Sequence, residues 1–442
     1  MIRKIISVIN IDKNVSIFLS GRLFSYISYP LTLALIINFL NPVEQGYYYT
    51  FLTLLSFSMF LELGLGIILT NFASHEFAKL SWQNNLLIGD EIAVKRSLAL
   101  IKKTIIWFSI VAIAFFALMY FVGHYFFSND NESSYMNAWL VFIAIFSPGL
   151  IFSPIMSILQ GFNKIKEVQS IIFLQVVVSI IFFWIGLLLN LNIYALILQF
   201  LVQNMISFSY LFFKYGRLIY LSFFQSSNVL SWRNEVLPLQ LKTGFAWLVS
   251  YLGINLLIPF SFKIFGPELA GQLGMSFKIA EITSIICLAW TNTRVPLMGK
   301  LISKKNKKEF FNLFKSTLRS IVLTGFLSLT GIIIIFKSLE TIAYSQFLDR
   351  VLTLNLVLAL SFGYYMFSIS NFLSMTIRAF KDEKMMYPNV IVLLVYSLAI
   401  YYSYNYLSYI SLVISFLFVN VFILLPFSIR FSLEVLKNKK WN

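Results

Sequence analysis

Four ionisable side chains lie inside long apolar segments of this sequence. Glu62 is within FSMFLELGLGIILTN (57–71), Arg22 is in the first apolar segment, and Lys278 and Glu281 are three residues apart in a later one. A charge at the centre of a bilayer costs about 2.5–3.5 kcal/mol on insertion scales, so such groups usually face a bundle interior or a water-filled cavity. Cations placed there attract anions, and carboxylates carry protons or balance charge.

Two interpretations of these charges remain open. In the first, they are structural: Lys278 and Glu281 neutralise each other on one helix face, and a protonated Glu62 bonds to a neighbouring helix. In the second, they line a cavity. Arg22 and Lys278, with Lys242 just before the seventh apolar segment, then bind an anionic group, while Glu62 and Glu281 serve coupling or charge balance.

The composition is that of a protein with many membrane spans. Of 442 residues, 59% are hydrophobic and 12% charged, and the mean hydropathy is +0.82. A soluble domain has about 45–50% apolar and about 25% charged residues. Polar and apolar residues do not alternate, so a β-barrel is not indicated. We predict an all-α polytopic membrane protein with about twelve transmembrane helices, over 17–39, 47–71, 100–123, 136–160, 168–189, 193–213, 243–265, 268–292, 317–337, 351–377, 388–407 and 409–430.

The net charge of +16 indicates orientation rather than nucleic-acid binding. The sequence has no module of interleaved basic and aromatic residues and no zinc-ligand spacing. Lys and Arg accumulate in cytoplasmic loops. With the N-terminus in the cytoplasm, only Lys263, Lys337 and Arg350 lie on the opposite side. We therefore predict that both termini are cytoplasmic and that MIRKIISVIN leads into an uncleaved first helix.

Weak internal repeats indicate two related halves. The motif P-x-x-x-G at 42–46 recurs at 267–271, and Thr-Asn at 70–71 recurs at 291–292. ISYP (27–30) and LQGFNK (159–164) have similar counterparts in VSYL (249–252) and IRAFKD (377–382), with offsets near 220. Six spans per half give both halves one orientation, around an axis along the membrane normal and a central cavity. The predicted domains are 1–221, a cytoplasmic linker at 222–240, and 241–442.

The remaining polar candidates do not form a catalytic site. Asn71 and His75, at the cytoplasmic end of the second span, are candidates for a gate. His75 and His124 are predicted at opposite membrane faces, which argues against a metal site. Cys287 is the one cysteine. The sequence has no nucleotide-binding motif, so we predict no cofactor, no direct use of ATP and no enzymatic activity.

The N-terminal part resembles a known transporter family. The segment from Gly21 to Glu76 is similar to the start of O-antigen and capsule repeat-unit flippases, which belong to the multidrug/oligosaccharidyl-lipid/polysaccharide flippase superfamily. Gly46 matches a glycine early in span 2, and Glu62-Leu63-Gly64-Leu65 matches an acidic-Leu-Gly-Leu signature. Many relatives have an arginine soon afterwards, where this chain has Thr70-Asn71-Phe72. A cationic contribution then falls to Arg22 and Lys278.

The resemblance implies a fold, a substrate and partners. The fold would be MATE-like, with two six-helix bundles. The substrate would be a polyprenyl-pyrophosphate-linked oligosaccharide, moved from the cytoplasmic to the outer leaflet of a bacterial inner membrane by alternating access, with an ion gradient as the energy source. Membrane lipids, and polymerase and chain-length proteins of polysaccharide assembly, would be its partners. Two alternatives remain: a cation-coupled multidrug exporter of the same superfamily, and a non-transporting scaffold of an assembly complex.

Overall fold

The computed structural model describes residues 24, 28–62, 65–127, 133–225, 232, 254–342, 345–380, 386–406 and 408–437. Regular structure in these ranges is helical apart from one two-stranded hairpin. The elements up to the middle of the chain are α1 (Ser28–Phe39), α2 (Pro42–Leu55), α3 (Ser58–Glu62), α4 (Leu65–Phe77), β1 (Leu80–Gln83), β2 (Leu86–Gly89), α5 (Glu91–Phe127), α6 (Ser133–Leu159), α7 (Ile165–Leu188) and α8 (Tyr194–Phe224).

The second part of the chain continues the helical pattern. Its elements are α9 (Ile254–Phe265), α10 (Pro267–Ser303), α11 (Lys307–Thr341), α12 (Ser345–Leu348), α13 (Leu354–Ala379), α14 (Met386–Tyr406), α15 (Ile410–Phe418) and α16 (Leu425–Lys437). Two π-helical segments, Gln160–Lys164 and Val419–Leu424, join α6 to α7 and α15 to α16.

Seven helical runs in the described ranges are long and apolar enough to cross a membrane. The longest run, Ser134–Leu188, contains two of the predicted spans. It is not one continuous helix, because the backbone leaves helical geometry at Phe162 and Asn163, between the two spans. Asn163 has φ 63° and ψ 23°, a left-handed conformation that asparagine tolerates better than most residues. The predicted all-α membrane class is confirmed. The count of twelve spans stays a prediction.

The helix starts follow local chemistry. Asp90 precedes α5, and its Oδ1 accepts a hydrogen bond from the Ala93 N–H at 2.8 Å. Asn306 caps α11 in the same way, accepting from the Glu309 N–H at 3.2 Å. Side-chain acceptors at this position satisfy backbone donors that have no partner within the helix. Pro267 opens α10, where its missing N–H costs nothing.

A β-hairpin lies between the second and third predicted spans, where the sequence indicated only a polar connection. β1 and β2 pair antiparallel around Asn84 and Asn85, whose φ angles are 48° and 60°. Two residues with positive φ match the right-handed twist of a tight hairpin. The Trp82 indole donates to the Phe162 carbonyl at 2.8 Å, which ties the hairpin to the turn between α6 and α7.

The chain forms two compact units. One consists of 1–41 and 55–247, and the other of 42–54 and 248–442. Nearly all of α2 therefore packs with helices of the second unit. The predicted linker at 222–240 falls largely on residues outside the described ranges, and α8 continues to Phe224. The domain boundaries predicted from the sequence stay a prediction.

Candidate functional site

Two of the predicted cations lie outside the described residues. These are Arg22 and Lys242; Leu63 and Gly64 of the acidic-Leu-Gly-Leu signature are also outside them. Glu62, Asn71, His75, Lys278 and Glu281 are described. The roles of all seven predicted site residues therefore stay predictions, and the geometry of five of them can be given.

Glu62 is the last residue of the short helix α3. The second predicted span is helical in pieces, since Ser56 and Phe57 separate α2 from α3. The Glu62 side chain is partly buried, and it makes no hydrogen bond or ion pair with any residue in the described ranges. A carboxyl without a partner in an apolar segment is costly when charged. Its position can accept a proton or a cation.

Lys278 and Glu281 form an ion pair on α10. Lys278 Nζ lies 2.9 Å from Glu281 Oε2, and the two side chains are 41% and 38% exposed. The spacing of three residues places them on one helix face. The structural interpretation requires a lysine and a glutamate that neutralise each other on one helix face, and this geometry is present. The same pair is also open on one side, so an anion can approach the ammonium.

The pair belongs to an exposed stripe along α10. Ala289, Asn292 and Pro296 continue this face at helical spacing, and all three are exposed. Ser276, Thr283 and other residues of the opposite face are buried. An exposed stripe with a lysine, a glutamate and an asparagine is unusual for a helix that faces lipid on that side. It suits a wet surface within the membrane.

Asn71 and His75 share one exposed face of α4. They are four residues apart, and both side chains are exposed. The Ser74 hydroxyl donates to the Asn71 carbonyl at 2.8 Å. The next residue, Glu76, instead pairs with Arg96 on α5 at 2.8 Å. The ion pair fixes the end of α4 and leaves the two candidate gate residues accessible.

The repeated P-x-x-x-G motifs pack against each other. A Cβ on Gly46 would lie 2.0 Å from the Pro267 carbonyl oxygen, and a Cβ on Gly271 would lie 3.2 Å from the Pro42 carbonyl oxygen. A Cβ on Gly271 would lie nearer still, 2.9 Å, to the Gly46 N, so the backbones of the two motifs meet directly. Close approach of two backbones requires glycine at both positions. The sequence contained this signal in the repeat but did not show that its two copies touch.

A loop before α13 ties α2 to α10. Gln45 donates through Nε2 to the carbonyls of Gly271 at 2.9 Å and Arg350 at 3.0 Å. Ser276 Oγ accepts from the Leu352 N–H at 2.9 Å. Burial lowers the pKa of Arg350, and the carboxylates of Glu44, Asp349 and Glu268 oppose that shift. The contact between the two motifs is therefore held by hydrogen bonds and charge as well as by packing.

Sequence reasoning missed a second charged cluster, around Glu167 on α7. Its Oε1 lies 2.7 Å from Lys214 Nζ and accepts from the hydroxyls of Tyr210 at 2.7 Å and Tyr215 at 3.1 Å. Lys164 lies over the Trp82 ring at 4.8 Å. The available signal was an acid one residue before a predicted span, followed by basic and tyrosine residues near the end of the next. The Glu167 contacts join α7 to α8, and the Lys164 contact holds the hairpin against the segment that precedes α7.

No family model matches the sequence, and no curated protein matches it significantly. Solved structures do match. A multidrug resistance MATE family transporter of the MOP superfamily, in an inward-facing conformation, has a TM-score of 0.64 at 12% identity, over 96% of this chain and 99% of its own. The lipid II flippase MurJ, in an inward closed conformation, has 0.64 at 17% identity, over 95% and 87%.

The fold is MATE-like. A third similar structure is a MOP superfamily transporter from Pyrococcus furiosus, with a TM-score of 0.55 at 12% identity over 94% of this chain and 93% of its own. It is described as having a binding pocket of reverse polarity that suggests a different function. At these identities the shared property is the fold. Membership of the polysaccharide flippase family stays a prediction.

Proposed function

We propose that this chain is a transporter that flips a lipid-linked anionic oligosaccharide across the membrane. The substrate would be a polyprenyl-pyrophosphate-linked repeat unit of O-antigen or capsule type, moved from the cytoplasmic to the outer leaflet of the bacterial inner membrane. The observation that carries this proposal is the half-exposed Lys278–Glu281 pair on the exposed stripe of α10. The MATE-like fold, which is also that of the lipid II flippase, supports it.

In this proposal each charged residue has a separate role. Lys278 approaches the pyrophosphate, because an ammonium forms strong charge-assisted hydrogen bonds with phosphate oxygens. Arg22 and Lys242, from outside the described ranges, would add to the positive charge. Glu281 neutralises Lys278 when no substrate is bound. Glu62, which has no partner in the described part of the chain, takes up the coupling ion or proton.

The reciprocal glycine contact supplies the conformational element. Pro42–Gly46 and Pro267–Gly271 lie at the predicted outer ends of their helices. Alternating access requires a contact that closes one side and then opens. The backbones of the two helices meet at the glycines, and the Gln45 hydrogen bonds hold them together, so this contact would close the outer side and would have to break when that side opens. Asn71 and His75 would act at the opposite, cytoplasmic end.

A deletion in the native host tests the substrate class. The expected result is loss of surface polysaccharide, accumulation of polyprenol-linked repeat units on the cytoplasmic side, and restoration by a plasmid copy. A Lys278→Gln copy should fail to restore export. A copy with Lys263→Gln, a basic residue predicted on the outer side, is the matched control and should restore it. Normal polysaccharide in the deletion strain would contradict the proposal.

A cation-coupled multidrug exporter is the second candidate. The MATE multidrug transporter matches this chain with the same TM-score as the lipid II flippase. The two intramembrane acids, Glu62 and Glu281, are matched by Arg22 and Lys278 in the sequence, and this balance disfavours a cationic ligand. This function predicts sensitivity of the deletion strain to cationic dyes with normal surface polysaccharide. Polymerase and chain-length proteins would be partners of the flippase only.

A further inference from the structure

We propose that the groove between the cytoplasmic halves of α10 and α11 binds the headgroup phosphate of an anionic phospholipid, through Arg294, Ser316 and Ser320. This site belongs to the second unit and does not include the exposed stripe of α10 that is proposed for transport. Its ligand is a structural or regulatory lipid of the surrounding leaflet. The proposal does not depend on which substrate the protein moves.

The three side chains already form a cluster. Arg294 Nη1 lies 3.2 Å from Ser316 Oγ and 3.4 Å from Ser320 Oγ. The guanidinium carbon lies 4.7 Å from the centre of the Trp290 ring, which holds the group by a cation–π contact. A guanidinium has five donors, so the remaining N–H groups can donate to phosphate oxygens while Nη1 stays on the serines.

The cluster carries positive charge without a counter-ion. In the part of the chain that the structure describes, no Asp or Glu pairs with Arg294. Arg319 is exposed on the same helix as Ser316 and Ser320 and also has no ion pair in the described ranges. An arginine without an acidic partner, held beside two serine hydroxyls, favours an anion of more than one oxygen, and a phosphate diester meets that requirement.

Lipid-facing side chains flank the groove. Ile286 and Leu297 of α10 are 41% and 52% exposed, and they lie beside Trp290 and Arg294. On α11, the stripe that contains Ser316 and Ser320 continues through Leu323, Phe326 and Leu327, which are 56%, 66% and 67% exposed. Large exposed apolar residues on two membrane helices face acyl chains. A headgroup above those chains would lie at the arginine.

The depth of the cluster agrees with a headgroup. Arg294 lies two residues past the predicted end of its span, and Ser316 one residue before the predicted start of the next. Trp and basic residues concentrate at this interface, and basic pockets between transmembrane helices on the cytoplasmic side bind anionic headgroups. Helix geometry puts Arg294 about 160° around α10 from Lys278. The groove and the transport stripe therefore occupy different faces.

Native mass spectrometry of the purified full-length protein tests the site. Phosphatidylglycerol is titrated against the wild type and Arg294→Gln, with phosphatidylcholine as the zwitterionic comparison. The apparent Kd for the first phosphatidylglycerol should rise about fivefold in the variant, the change expected for one basic residue at a membrane surface. Arg378→Gln is the matched control, since it removes an exposed arginine from the end of α13 and should leave binding unchanged.

A second variant keeps the charge. Ser316→Ala with Ser320→Ala removes the two acceptors that position Arg294, and should weaken phosphatidylglycerol binding while the thermal melting temperature stays near that of the wild type. It also serves as the test if Arg294→Gln does not fold. Inorganic pyrophosphate is the soluble probe. The proposal would be overturned if the two lipids bound equally, or if the Kd for phosphatidylglycerol were unchanged in both variants. It would also be overturned if pyrophosphate bound in an Arg294-dependent way and phosphatidylglycerol did not bind.

Discussion

The segments Pro42–Phe77 and Pro267–Ser303 occupy equivalent places in the predicted internal repeat. Each contains a glutamate within an apolar segment, but the two segments differ in how the charge of that glutamate is balanced. An offset of 219 aligns Glu62 with Glu281 and Met59 with Lys278. In the second segment one continuous helix of 37 residues brings a lysine to its own glutamate. In the first segment the helix is broken, and the aligned position holds a methionine that is 52% exposed.

The two carboxylates therefore differ in the source of their counter-charge. Glu281 is neutralised by its own helix, so its charge state depends little on the rest of the protein. Glu62 has no such neighbour. It must meet a cation from elsewhere, and Arg22 is the candidate that the sequence offers, or it must bind a proton or ion. This makes Glu62 the better candidate for a group that changes state during the proposed transport.

The contact that joins the two segments should give the largest effect. Gly46→Ala places a Cβ 2.0 Å from the Pro267 carbonyl oxygen, so α2 and α10 must separate. Overpacking of this kind costs about 1–3 kcal/mol, and we expect transport to fall about tenfold or more. The measurement is the proposed export of lipid-linked repeat units, followed in the complemented deletion strain.

Gly299→Ala is the control for that variant. Gly299 also lies on α10, and no heavy atom outside its own helix lies within 4 Å of an added Cβ. Its expression and transport should equal those of the wild type. If Gly46→Ala transports as well as Gly299→Ala, the reciprocal contact has no part in closing the outer side.

Met59→Lys gives the first segment the pair found in the second. The new ammonium is three residues before Glu62 and should neutralise it, which lowers transport to the level of Glu62→Gln. Met59→Gln adds polarity without charge and should remain close to the wild type. Wild-type transport by Met59→Lys would show that an unpaired carboxylate at Glu62 is not required.

Lys278→Gln breaks the pair in the second segment. Because both side chains are about 40% exposed, we expect a loss of only about 0.2–1 kcal/mol in unfolding free energy, but a several-fold loss of transport. The double variant with Glu281→Gln separates the two interpretations. Transport should stay low if Lys278 binds the substrate anion. Recovery in the double variant would mean that the pair only neutralises itself.

The smallest expected effect is a difference in stability between variants of the two repeated threonines, Thr70 and Thr291. Thr70 Oγ1 lies 2.9 Å from the carbonyls of both Gly66 and Ser157, whereas the Thr291 hydroxyl is buried without a partner in the described ranges. Thr70→Val should therefore cost about 1 kcal/mol of unfolding free energy, and Thr291→Val should cost nothing or stabilise. Thermal melting in one detergent measures both. Equal losses would contradict the assigned contacts.

Much of the fold could be predicted from composition and periodicity. Apolar segments of about 20 residues can only be membrane helices or buried core, and their number excluded a small soluble domain. The hairpin was missed because LSWQ and LLIG are short, although the Asn84-Asn85 pair between them is a turn signal. The pieces of the second span were missed because hydropathy does not change at Ser56 and Phe57.

The candidate site was predictable in part. Lys278 and Glu281 were paired from spacing alone, since residues three apart on a helix are neighbours. The cluster around Glu167 was not predictable, because its partners come from α8, more than forty residues along the chain. The Arg294 cluster was missed for a similar reason: its serines lie on the following helix.

By itself the sequence determined the membrane class, the repeat and the intramembrane charges, because these depend on residue type and on distance along one helix. Only the tertiary structure decided which helices meet. It brought Gly46 against both Pro267 and Gly271, and left Glu62 without a hydrogen-bond or ion-pair partner in the described ranges. The physical reason is that close backbone packing and ion pairing act over a few ångströms in space, while these residues are separated by more than two hundred positions in the chain.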